Sequence, residues 1–133
     1  MRASSKYMFE LSNYNSWDNG NITIECTGTS YSRFKRYNWS SARDISITPN
    51  YADGTWHMFT WVGASWIYYI DGVQKWTNST SVSIKPAEIT IWWWRLSNTS
   101  YTGDYSDLII EDRVRSASEI LNHYNTYKSN YGL

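Results

Sequence analysis

Along most of the chain, apolar and polar residues alternate in short runs separated by turn-forming residues. A period of two is the signature of a strand with one face buried. Tyr7 to Leu11 is the first predicted strand, followed by a polar loop, Ser12 to Asn19, and the turn pair Asn19-Gly20. In the second, Asn21 to Thr27, residues Ile22, Ile24 and Cys26 alternate with Thr23, Glu25 and Thr27. Tyr31 to Trp39 and Asp44 to Thr48 follow, and Pro49 to Gly54 reads as a loop. Trp56 to Val62 and Trp66 to Ile70 are predicted strands joined through Gly63-Ala64. Asp71-Gly72 then supplies two residues that tolerate positive φ, as a type I′ turn requires, before a strand from Val73 to Trp76. Val82 to Ile84, Ala87 to Trp94 and Tyr105 to Glu111 complete the predicted strands.

The pattern changes period only at the end. Ser116-Ala117-Ser118-Glu119 is a capping box, in which the serine hydroxyl and the glutamate carboxylate each satisfy a backbone N–H of the first turn. Ile120, Tyr124 and Tyr127 then recur on one helical face, with Leu121 beside them, and Gly132 lies beyond the helix end. Many short strands and one terminal helix predict a single all-β domain over residues 1–133 and exclude a doubly wound α/β fold.

Composition changes this picture in one respect. The chain holds 9 Trp and 12 Tyr but only 3 Phe. Trp and Tyr have an apolar body and a polar tip, which suits half-exposed binding surfaces better than a sealed core. The remainder is rich in Ser, Thr and Asn, with sequons at Asn21, Asn38, Asn78 and Asn98, as in extracellular and virion-surface β-domains. Twelve basic residues balance twelve acidic ones, which argues against nucleic acid as a partner because phosphate binding needs a cationic excess. The densest basic stretch, Arg33, Lys35 and Arg36, reads as a solvated strand face. The apolar runs are too short to span a membrane, and Met1 to Lys6 carries no signal core. The single cysteine, Cys26, forms no internal disulfide and reads as an inert strand residue.

Two stretches resemble a known family. Gly54-Thr55-Trp56-His57-Met58-Phe59-Thr60-Trp61 with Ile67-Tyr68-Tyr69-Ile70-Asp71-Gly72 is similar to the central hairpin of laminin-G-like, concanavalin-A-like jelly rolls. Tyr101-Thr102-Gly103, Asp107-Leu108-Ile109-Ile110, Arg113 and Ser116 to Ile120 resemble that family's closing segment. Val114-Arg115 and Tyr105-Ser106 depart from its pattern. The resemblance implies a two-sheet antiparallel jelly-roll sandwich with one C-terminal helix. It also implies carbohydrate or protein ligands, and in some members calcium at the rim. Tyr7 to Leu11 matches an internal strand of the family, so one or two earlier strands are expected from a neighbouring chain or a larger parent protein. The fold alone does not define function, because it hosts lectins, adhesins, virion proteins and glycosidases.

The titratable residues argue against catalysis. Retaining glycosidases need two carboxylates about 5 Å apart. In this chain Glu10, Glu25, Glu88, Glu111 and Glu119 are scattered, and Glu111-Asp112 point to opposite faces of a strand. The resemblance makes His57 the strand histidine of the family hairpin and so implies a structural hydrogen bond for it, and His123 sits on the helix. No Ser-His-Asp or Cys-His set emerges. Aromatic positions are the stronger signal. In Ala87 to Trp94, Ile89, Ile91 and Trp93 share an apolar face, whereas Trp92 and Trp94 lie about 7 Å apart on a mixed one. Trp61 and Trp93 read as core; Trp17, Trp39, Trp92, Trp94 and Tyr101 are the candidate ligand-binding residues. Asp104 and Asp107 are candidate calcium ligands, although no cofactor is required.

The sequence therefore predicts a non-catalytic carbohydrate-binding or adhesive module of an extracellular, cell-surface or virion-surface protein. Two alternatives stay open. One is a structural subunit, homo-oligomeric or part of a larger assembly, whose aromatics pack against neighbouring protein chains. The other is the remnant of a polysaccharide-active enzyme.

Overall fold

The computed structural model describes residues 6–12, 21–27, 31–37, 43–51, 53–62, 67–77, 88–91 and 106–132. They belong to two compact units, one of Met1–Gly54 with Ser83–Asp104 and the other of Thr55–Val82 with Tyr105–Leu133. Among the described residues, no helix is long and apolar enough to cross a membrane.

The first unit is built on an antiparallel sheet of β1 (Lys6–Ser12), β2 (Asn21–Thr27), β3 (Tyr31–Tyr37), β4 (Arg43–Ile47) and, in chain order, β8 (Glu88–Ile91). Its strand order is β4-β3-β2-β1-β8. Alternating sequence and short connections favour such neighbour pairing. Asn21 pairs with Tyr37 and Thr27 with Tyr31, so three residues close the β2–β3 hairpin. The β1–β2 register shifts between Tyr7 and Phe9, a bulge that the alternation did not announce. Buried Ile24, Ile47 and Tyr51 mark the apolar interior, together with Ser32, a polar residue with no exposed surface. Its hydroxyl accepts from the Tyr51 N–H at 3.0 Å and donates to Asn50 Oδ1 at 3.4 Å. Those bonds satisfy a polar group that would be costly to bury alone, and they tie the loop after β4 back to β3.

The second unit has an open three-stranded sheet, β5 (Phe59–Val62), β6 (Ile67–Ile70) and β7 (Val73–Trp76), in that order. Asp71-Gly72 forms the predicted turn between β6 and β7, with φ of +54° and +74°. Central strand β6 is buried on both faces: Tyr68, Tyr69 and Ile70 are all 4% exposed or less. Helix α1 (Ala117–Tyr127) follows, then a 3-10 turn over Lys128–Tyr131 that Gly132 ends in the left-handed region. Ile120 is buried against Val62 and Tyr69, with Met58 and Ile67 packed on that cluster. The helix-facing side of the sheet is therefore the Met58 and Val62 side. Trp61, read from sequence as core, points into the alternate set and is half-buried.

These findings overturn the jelly-roll reading and the family resemblance behind it. The three-stranded sheet is open, and the residues that bury its Met58–Val62 face come from a helix rather than from an opposing sheet. The expected closing strand, Tyr105 to Glu111, is also missing over its described part: residues 106–111 have no regular structure. An apolar run becomes a strand only where a ladder partner satisfies its backbone. The Ser116 capping box, by contrast, forms as its spacing predicts.

Candidate functional site

The second unit carries the described groups that combine exposure with chemistry. The loop before β5 brings Thr55 and His57 to the β6–β7 turn. Thr55 Oγ1 lies 2.8 Å from His57 Nε2, and His57 Nδ1 lies 2.7 Å from Asp71 Oδ2. Asp71 Oδ1 accepts from the Met58 N–H at 2.9 Å, while the Asp71 N–H donates to the Met58 carbonyl at 3.0 Å. A hydroxyl, an imidazole and a carboxylate in line is an arrangement that can activate a nucleophile. Asp71 takes His57 on one carboxylate oxygen and the Met58 N–H on the other, so His57 makes the hydrogen bond expected of it. Asp71→Asn keeps a residue that tolerates positive φ but replaces the charged acceptor. We expect a loss of about 1–2 kcal/mol of stability, read from the urea midpoint.

A second cluster surrounds the 3-10 turn. The Tyr131 hydroxyl donates to Asp107 Oδ2 at 2.6 Å and sits 2.5 Å from Ser106 Oγ, which also donates to Asp107 at 3.0 Å. These hydroxyls, Tyr131 first, hold the Asp107 carboxyl below its usual range. The Tyr131 ring packs 5.2 Å from that of Trp56, which is 37% exposed. Asp107 was one of the two candidate calcium ligands. Among the described residues, no group of three or more His, Cys, Asp or Glu side chains is placed to hold a metal ion. Asp104, Trp17, Trp39, Trp92, Trp94 and Tyr101 lie outside the described residues, as does the Asn19-Gly20 turn.

Between these clusters and the helix runs an irregular segment that sequence reasoning assigned to a strand. Leu108, Ile109 and Ile110 are 49%, 54% and 62% exposed, and Val114 is 69% exposed. Its charges are largely paired. Arg115 grips Glu111 through both Nε and Nη2, and Arg113 Nη1 donates to Glu119 Oε1 at 2.7 Å. Arg115 holds the Glu111 carboxyl below its usual value. The signal for this surface was present in the sequence, as three consecutive aliphatics bounded by charges. Its exposure was not, because a run of this kind reads equally well as a buried strand.

Glu119 joins that segment to the helix. Its Oε2 accepts from the Ser116 N–H at 2.8 Å and from the Ser116 hydroxyl at 2.9 Å, and the Glu119 N–H donates to Ser116 Oγ. The Ser116 N–H first, then Arg113, pull its pKa from 4.5 down to about 2. A carboxylate with a depressed folded pKa contributes stability above its unfolded value and loses it as pH falls through the folded value. Helical circular dichroism should therefore decline between about pH 4.5 and pH 2, and Glu119→Gln should remove that component. Ser116→Ala should cost about 1 kcal/mol at neutral pH.

Comparison with known proteins adds little to this geometry. No family model matches the chain, and no curated protein matches it. A solved structure of an S-layer domain-containing protein from Clostridium thermocellum, residues 221–444, superposes with a TM-score of 0.49 and 18% identity. The match covers 91% of this chain and 63% of that one, so this chain spans less than two-thirds of its length. Similarity at this level assigns neither a fold nor a function.

Proposed function

We propose that the chain is a non-catalytic packing module of an extracellular or cell-surface assembly, with its exposed aliphatic segment seated against neighbouring protein chains. The observation that carries this is the exposure of Leu108, Ile109, Ile110 and Val114 within one short stretch. Single exposed apolar side chains are ordinary on a protein surface; several close together in sequence among charged residues point to an interaction site. The surrounding ion pairs, Arg115 with Glu111 and Arg113 with Glu119, would form a polar rim around an apolar centre. The Ser-, Thr- and Asn-rich composition supports an extracellular setting.

A saccharide ligand is the second reading, favoured by one described feature. Trp56 presents a partly exposed indole beside the Tyr131, Ser106 and Asp107 hydrogen-bonding groups. An aromatic face next to oriented polar groups can stack a sugar ring and bind its hydroxyls.

Sedimentation over a concentration series, run beside a glycan array with and without calcium, separates the two. Self-association without glycan binding is the result expected for a packing module. A monomer that binds glycans would overturn it. Ile109→Lys should weaken self-association about tenfold or more, since a buried charge at an apolar contact centre costs more than about 1.4 kcal/mol.

A further inference from the structure

We draw no further inference here: the strongest candidate, the exposed Leu108–Ile110 run in the irregular segment before α1, belongs to the surface already described, and nothing in the structure shows what covers it.

Discussion

Ile120→Ala should destabilise the second unit by roughly 2–5 kcal/mol, the range for removing a large aliphatic from a packed site. Ile120 is 1% exposed and is the buried residue of α1. Its contacts with Val62 and Tyr69 join the helix to the sheet, and Met58 and Ile67 pack on the same cluster. Tyr127, read from sequence as part of the same apolar stripe, and Leu121, read as lying beside it, are 46% and 44% exposed and cannot take over that role. Urea unfolding followed by far-ultraviolet circular dichroism measures the loss. Ile120→Val should cost only about 1 kcal/mol, because most of the side-chain volume remains. Equal midpoints for wild type and Ile120→Ala would mean that the helix does not dock through this residue.

Gly72→Ala should be nearly as damaging, by about 3 kcal/mol, for two separable reasons. Gly72 has φ of +74°, where a side chain on an L-residue is strained. A Cβ there would also lie 2.9 Å from Leu121 Cδ1, 3.1 Å from Leu121 Cα and 3.3 Å from Tyr124 Cβ. The Leu121 side chain can swing aside, but its Cα moves only if the helix does. Gly132 is the natural control: its φ is +72°, and a Cβ there would meet nothing within 4 Å. Gly132→Ala should therefore cost about 1 kcal/mol, the conformational part alone. The difference between the two variants measures how closely α1 packs on the β6–β7 turn. If both glycine variants lose the same stability, that close approach is absent.

Among the described residues, two local signals in the sequence held up where a short-range physical rule decides the outcome. Asp71-Gly72 turns as expected because it is composed of two residues that accept positive φ. Ser116 and Glu119 cap the helix because they stand three residues apart at its start. Strands β2 and β7 begin and end where alternation places them. Of the candidate site residues, only Asp107 is among the described ones, and its partner Tyr131 lies 24 residues away, beyond the reach of any local pattern.

The Leu108–Ile110 run shows where such reading stops. Three aliphatics in a row have strand-like character, but a strand needs a neighbour to take up its N–H and C=O groups, and composition does not specify one. Ser32 shows the same limit inside the first sheet: nothing in its surroundings in sequence marks a buried hydroxyl that holds Asn50 and Tyr51. Among the described residues, the sequence by itself determined the Asp71-Gly72 turn, the Ser116 cap and most of the strand positions, because each depends on a few adjacent residues. Only the tertiary structure decided that Val62 rather than Trp61 faces the helix, that Ile120 alone in α1 is buried, and that the last apolar run lies exposed. Those outcomes depend on which distant segments approach each other, and burial is a property of that approach rather than of any one segment.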